Sequence, residues 1–145
     1  MNLRHLFTAL LAGTLTLGPS VAAVNAETLR VGAALSAGIE NAWAASLLQS
    51  FEAVKAAKPY GLDLEIAYSE SVYGDDATTA MEQYAKQGYD IVWGHSSYAD
   101  QIEELKDEFP DTLFVMIGSG NRALGGNAYH LYTHLHDCLL YTSPS

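Results

Sequence analysis

Two strand-like runs with a helix between them, within residues 88–118, constrain the fold of this chain more than any other feature. Residues 91–93 and 113–117 are apolar, and each run leads into a turn rich in Gly and Ser. Ser97 and Asp100 have the spacing of a helix capping box. Strands that alternate with helices form parallel α/β sheets, whose ligands bind at the carboxyl ends of the strands. We therefore look for a site in the turns that follow the two runs.

The same alternation extends toward the amino terminus. We predict strands at 29–35 and 62–68, and helices at 41–58, 75–87 and 98–109. Apolar residues recur at helical spacing in each helix: Leu47, Phe51 and Val54; Ala77, Met81 and Tyr84; Tyr98, Ile102, Leu105 and Phe109. These stripes predict which face of each helix packs on the sheet.

Strand composition predicts the order of the sheet. The second strand alternates apolar residues with Asp63 and Glu65, which is typical of a sheet edge, whereas residues 113–117 are apolar throughout, as in a central strand. Right-handed connections then give a doubly wound parallel sheet of order 2-1-3-4-5, with the fifth strand beginning within residues 127–131.

The first 26 residues have the composition of an export signal. Arg4 opens a polar start, residues 6–17 are apolar, and Ala26 ends a small-residue cleavage site. The apolar run is shorter than the roughly 20 residues that span a bilayer. We expect cleavage near Ala26 and a periplasmic product without direct membrane insertion.

Charge excludes some partners. The chain has 17 acidic and 7 basic residues, for a formal charge of −10, and loss of Arg4 with the leader would make it about −11. A surface of that charge repels nucleic acid and anionic lipid. We therefore expect neither as a partner.

The last eight residues differ in character from what precedes them. Residues 138–145 have neither periodicity nor a helix cap, and Cys138 has no second cysteine to pair with. We expect a non-native tail from a truncated or frame-shifted reading frame, with residues 27–137 as a partial domain. A natural short extension is the alternative.

Polar and aromatic residues follow the first, third and fourth strands. The candidate ligand-binding residues are Glu40, Asn41, Trp43, His95, Ser96, Tyr98, Gly118 and Ser119. Indole can stack on a planar ring, and carboxylate and amide groups hydrogen-bond base edges or hydroxyls. Structural alternatives stay open: Trp43 could belong to the apolar stripe of Leu47, and Asn41 could be only a helix N-cap.

Catalytic and metal sites are disfavoured. His95 and Ser96 are adjacent, so their side chains point apart, and no Gly-x-Ser-x-Gly is present. The Gly-rich loop from Gly118 lacks the dinucleotide-binding spacing and follows the fourth strand. His130 and His134 share a helical spacing with no matching ligand motif. We predict no enzyme activity, no metal and no cofactor.

Four short segments stand at predicted strand and helix ends: Ser-Glu-Ser-Val at 69–72, Asp-Asp at 75–76, Gln-Gly-Tyr-Asp-Ile-Val-Trp-Gly at 87–94 and Glu-Phe-Pro-Asp-Thr-Leu-Phe at 108–114. Together they resemble the basic membrane protein (Bmp, PnrA-like) family of ABC transporter substrate-binding proteins. The resemblance spans residues 28–137. It implies an incomplete N-terminal lobe of a type I periplasmic-binding protein.

The resemblance also implies a function. Family members bind purine nucleosides or related solutes between two lobes and deliver them to a membrane permease. Their first strand ends in a loop of the form Asp-Asn/Gly-x-Trp-Asn. Asn41 and Trp43 match it, Glu40 stands in place of Asp, and Ala44 replaces a polar residue. We expect a small-molecule ligand and an ABC permease as partners, with an exported sensing domain, or an α/β enzyme using Glu40 or His95, as alternatives.

Overall fold

The computed structural model of the 145-residue chain describes residues 27–118 and 122–132. The predicted leader at 1–26 and tail at 138–145 lie outside the described residues, as do Ser119 and His134. Within the described ranges, no helix combines the length and apolarity that crossing a bilayer requires.

Strands and helices alternate along the described chain. The strands are β1 (Thr28–Leu35), β2 (Asp63–Ser69), β3 (Ile91–His95), β4 (Leu113–Gly118) and β5 (Ala128–Tyr132). The helices are α1 (Ala42–Ala57), α2 (Gly74–Lys86) and α3 (Ala99–Leu105), with a short 3₁₀ turn at Pro59–Gly61. Each predicted element is confirmed, with most boundaries within two residues of the prediction. The exception is the end of α3, which is four residues shorter than predicted.

The five strands form one parallel sheet of order β2-β1-β3-β4-β5, as predicted. β2 is an edge strand, and β1 lies between β2 and β3. Helix α1 packs on one face of the sheet, and helices α2 and α3 pack on the other face. The sheet is therefore doubly wound. The carboxyl ends of β1, β2 and β3 therefore lie side by side at one edge.

The face covered by α2 and α3 contains the larger core. Its apolar cluster joins Met81 and Tyr84 of α2 and Ile102 and Leu105 of α3 to Phe114 of β4. The predicted stripes of α2 and α3 are thus confirmed as core. Packing is close enough that a Cβ added to Gly32 of β1 would lie 2.3 Å from Cγ of Tyr84.

The face covered by α1 has a smaller core. Ala33 and Leu35 of β1 pack against Ala44 and Leu47 of α1, with Phe51 and Trp93 partly buried beside them. Val54, the third residue of the predicted α1 stripe, is exposed. On β5, Tyr129 and Leu131 are also exposed.

The helix starts differ from each other in their capping. Asn41 is the N-cap of α1, and its side-chain oxygen accepts the Trp43 N–H at 2.9 Å. At α3 the predicted capping box is wrong: Tyr98, not Ser97, occupies the N-cap position, and its side chain makes no capping bond. The backbone N–H of Ile102 nevertheless bonds the Tyr98 carbonyl, which closes the first turn of α3.

Candidate functional site

Three turns meet at the carboxyl edge of the sheet, where the sequence predicted a site. The Ile39 N–H, in the turn between β1 and α1, donates to Oε2 of Glu70 at 2.9 Å. The Val72 N–H, in the turn between β2 and α2, donates to the Leu35 carbonyl at 3.0 Å. These bonds fix the turn after β2 against the turn after β1.

Tyr98 fixes the third turn to the second. Its side chain is 4% exposed, and its hydroxyl donates to the Val72 carbonyl at 2.7 Å. Burial, reinforced by the nearby Tyr73 and opposed by a hydrogen bond with Ser36, raises the pKa of Tyr98 to about 12. The phenol is therefore a neutral donor at physiological pH. This buried side chain connects the turn after β3 to the turn after β2.

His95 lies at the end of β3 and is 3% exposed. Its Nε2 lies 3.0 Å from the Trp43 carbonyl, and its Nδ1 lies 3.5 Å from Nε1 of Trp93. The indole N–H can only donate, so Nδ1 is the acceptor and Nε2 carries the proton. Burial lowers the pKa of His95, against an opposing effect of its bond to the Trp43 carbonyl. The imidazole is neutral at physiological pH.

The Trp43 indole stacks on the His95 imidazole. The ring centroids are 4.5 Å apart and the planes differ by 15°. Trp43 is 41% exposed and lies outside the apolar cluster that contains Leu47. Its indole therefore covers the imidazole at the carboxyl edge and does not belong to the apolar cluster of α1.

Glu40 and Asn41 precede Trp43 in the same turn. Both are exposed, and Asn41 serves as the helix cap described above. The Glu40 carboxylate folds back over Gly38, because a Cβ added there would lie 2.2 Å from Oε2. The absence of a side chain at Gly38 thus makes room for this carboxylate at the edge.

The turns after β3 and β4 also touch. A Cβ added to Gly118 would lie 2.7 Å from the carbonyl carbon of Ser96, so the two backbones are in direct contact. Nε2 of His130 lies 3.3 Å from the Gly118 carbonyl. The structure therefore brings Ser96 to Gly118 and Trp43 to His95, with Glu40 and Asn41 in the turn that precedes Trp43.

Two residues of this edge were missed by the sequence analysis. Glu70 bonds the turn after β1, and Tyr73 is 62% exposed beside Tyr98. The predicted strand order contained the signal, because it places β2 next to β1 and so brings the residues after β2 to the same edge. Tyr73 adds a second exposed aromatic ring to this surface.

Other features of the described residues do not compete as sites. Among residues 27–118 and 122–132, no group of three His, Cys, Asp or Glu side chains is arranged to hold a metal ion. A recess of about 390 Å³ is lined by residues including Tyr89, Asp90 and Asp111, which precede β3 and β4. It lies at the amino edge, opposite the edge where parallel sheets bind ligands.

Comparison with known proteins defines the class of fold. No family model and no curated protein sequence matches this chain. Among solved structures, an ABC transporter solute-binding protein from Conexibacter woesei DSM 14684 aligns with a TM-score of 0.61 and 22% identity over 72% of this chain. This chain thus has an α/β fold like that of the matched solute-binding protein, and the doubly wound parallel sheet agrees with the prediction from the sequence.

Two further structures agree on the fold. One, described as a branched-chain amino acid ABC transporter from Chromobacterium violaceum ATCC 12472, has a TM-score of 0.54 and 19% identity over 78% of this chain. The other, a transcriptional activator of the comK gene from Bacillus halodurans, has a TM-score of 0.54 and 17% identity over 70%. This chain covers 35%, 40% and 33% of the three matched chains, which is well under half of their length.

Proposed function

We propose that this chain forms one lobe of an exported solute-binding protein of an ABC importer. In this proposal the carboxyl edge is half of the ligand cleft, and a second lobe supplies the other half. The ligand is a small solute, a purine nucleoside or a related compound, and the protein passes it to a permease without bond chemistry. The candidate contacts are Glu40, Asn41, Trp43, Ser96 and Gly118, with Ser119 beside them in the sequence.

One observation carries this proposal: three turns after adjacent parallel strands are tied together, and they leave polar and aromatic groups exposed on top. Glu40 offers an acceptor and Trp43 an indole surface within one turn. Such a combination suits a ring that carries N–H or O–H donors. The nucleoside assignment rests on the Bmp resemblance of residues 38–44 and on no measured contact.

Catalysis is poorly supported by the same geometry. A general base needs a nitrogen or oxygen within reach of the substrate. Both His95 nitrogens face tryptophan groups, and the ring is buried. The geometry therefore does not favour His95 as the general base of an α/β enzyme.

Ligand sensing is the second candidate function. The likeness to the comK activator from Bacillus halodurans favours it, since a regulator can use the same fold. A sensor and a transport protein would bind the ligand in the same kind of cleft. They would differ in the partner protein that recognises the closed, ligand-bound form. Co-purification with a permease from the source membrane would favour transport.

The test compares two proteins. We expect a longer protein that joins this sequence to a second lobe to bind adenosine, guanosine or inosine with micromolar or tighter affinity in calorimetry. The 145-residue chain alone should bind far more weakly, because in this proposal the second lobe supplies half of the surface that buries the ligand. Binding of sugars or amino acids but no nucleoside would overturn the ligand class. Micromolar nucleoside binding by the 145-residue chain would overturn the two-lobe requirement.

In the longer protein, Glu40→Ala should weaken nucleoside binding by roughly 1 to 3 kcal/mol, because a ligand donor would lose its acceptor. Glu40 is a cleaner choice than Asn41, whose replacement also removes the cap of α1. Glu52→Ala, on the exposed side of α1, is the matched control and should leave affinity unchanged. Equal affinities for wild type and Glu40→Ala would remove this turn from the site.

A further inference from the structure

Both tryptophans of this chain contact the same imidazole. The sequence contains two Trp residues. Trp43 stacks on one face of His95, and the indole N–H of Trp93 points at Nδ1 of the same ring. The imidazole therefore lies between the amino end of α1 and strand β3, under the exposed indole of Trp43.

The geometry leaves little of His95 for a ligand. The side chain is almost fully buried, its two nitrogens face Trp43 and Trp93, and one ring face is covered by indole. A ligand at the carboxyl edge would meet Trp43 first. His95 was predicted as a ligand contact, and its surroundings suit a different role.

The backbone of Trp43 is bonded at both its polar groups. Its N–H donates to Oδ1 of Asn41, and its carbonyl lies within hydrogen-bond distance of His95 Nε2 at 3.0 Å and of the Ser46 hydroxyl at 2.8 Å. Asn41 and Ser46 belong to the cap and the first turns of α1, whereas His95 belongs to strand β3. The imidazole is therefore the connection between β3 and the first turn of α1.

We propose that His95 is a positioning residue of the candidate site: its neutral imidazole holds the first turn of α1 and supports the Trp43 indole, so that one indole face stays open to ligand. This role deepens the proposed function and rests on it for the identity of the ligand. The hold of His95 on Trp43, which we call the anchor, can be measured without a ligand. A planar ligand would then stack on the face of Trp43 opposite His95, which limits the site to one such ring.

The contact between His95 and Trp93 requires the neutral ring, whereas the bond from Nε2 to the Trp43 carbonyl does not. A proton added to Nδ1 would place an N–H against the N–H of Trp93, two donors facing each other. The groups that contact the ring are uncharged: the Trp43 carbonyl and indole from α1, and the Trp93 indole from β3. The Ser36 hydroxyl lies 3.5 Å from the backbone carbonyl of His95. Of the carboxylates in the neighbouring turns, Glu70 bonds Ile39 and Glu40 lies over Gly38. Neither bonds the imidazole, so no carboxylate offsets the added charge.

The first experiment is an intrinsic fluorescence titration of the 145-residue chain, without ligand. Since both tryptophans touch His95, and imidazolium quenches indole emission more than imidazole does, emission should fall in a single step below pH 6.5. His95→Phe keeps an aromatic ring and should abolish the step. His130→Phe, which removes an imidazole from β5, is the control and should retain it. A step that survives in His95→Phe, or is lost in His130→Phe, would overturn the assignment.

The second experiment measures the position of Trp43. In a Trp93→Phe background only Trp43 emits, and we expect its collisional quenching by acrylamide to rise at least twofold in His95→Phe. His95→Gln keeps an N–H donor and should restore part of the protection. Unchanged quenching in a His95→Phe variant that retains wild-type circular dichroism would overturn the positioning role. If His95→Phe does not fold, the quenching of His95→Gln against that of the wild type decides the question in the same way, because the amide cannot stack on the indole as the imidazole does.

The third experiment links the anchor to binding. In the longer two-lobed protein, His95→Phe should weaken adenosine binding about 3- to 10-fold at pH 7.5, with His95→Gln in between. Equal adenosine affinities for all three proteins would overturn the role in binding. If adenosine does not bind the wild type, the nucleoside assignment fails, and the quenching data still test the anchor.

Discussion

The face of the sheet covered by α2 and α3 has fourteen buried residues in one apolar cluster among the described residues, whereas the face covered by α1 has four. The two faces also hold the two buried rings of the carboxyl edge. Tyr98 belongs to the larger cluster, and His95 lies on the α1 side beneath Trp43. The difference indicates that one side of the candidate site is fixed by packing, and that the other depends on a few polar and stacking contacts.

Matched leucine truncations test this comparison most strongly. Leu105 of α3 lies in the larger cluster and Leu47 of α1 in the smaller one, at 2% and 7% exposure. Leu105→Ala should lower the free energy of unfolding by about 3 to 4 kcal/mol, since its dense surroundings cannot relax into the cavity. Leu47→Ala should cost about 2 kcal/mol, since the smaller cluster can adjust. Urea denaturation measures both, and a larger loss for Leu47→Ala would reverse the comparison.

Removing the Tyr98 hydroxyl tests the polar bond within the larger cluster. Tyr98→Phe keeps the packed ring but leaves the Val72 carbonyl without that donor, so we expect a loss of about 1 kcal/mol in unfolding free energy. Tyr60→Phe is the control, since Tyr60 is fully exposed, and it should change nothing. Equal stability of Tyr98→Phe and wild type would show that packing alone fixes this turn.

The pH dependence of stability should also differ between the two faces. The pKa of His95 is lowered by burial, so the unfolded chain takes up a proton near pH 6.5 before the folded chain does. Its contribution is complete above pH 6.5 and is lost as the pH falls through the folded value. The pKa of Tyr98 is raised to about 12, so its contribution is complete below pH 10 and is lost as the pH rises toward 12.

Urea denaturation across pH measures these two limbs. His95→Phe should flatten the acid limb and leave the alkaline limb, while Tyr98→Phe should reduce the alkaline limb and leave the acid limb. An acid limb that is the same in His95→Phe and wild type would contradict the placement of a neutral imidazole on the α1 face.

Much of the fold could be predicted from the sequence because local pattern and tertiary structure agree. The stripe of Ala77, Met81 and Tyr84 is helical in spacing and buried in the structure, and the alternating Asp63 and Glu65 lie in an edge strand. The ends of the helices agreed less well with the prediction where the sequence offers more than one possible cap. The start of α3 is one example, since Ser97 has the right spacing for a cap and Tyr98 occupies the position.

The site could be predicted only as a region. Strand order and turn composition placed Glu40, Trp43 and Ser96 at one edge, and the structure places them there. Contacts across 52 residues of sequence, such as His95 with the Trp43 carbonyl, leave no local pattern to read. The same holds for Tyr98, whose helical spacing predicted a core residue but not its bond to Val72. The ligand itself stays a proposal from the Bmp resemblance.

The close approach of Gly32 to Tyr84 has a consequence for how this sequence can vary. Since the space that a methyl group at position 32 would need is already filled by Tyr84, Gly32 cannot gain a side chain while Tyr84 stays in place. A side chain on β1 here requires a smaller residue on α2, and Tyr84 also bonds Ser69 of β2 through its hydroxyl at 2.9 Å. A larger residue at position 32 is therefore expected only together with a smaller residue at position 84, whose loss would also remove the bond to Ser69.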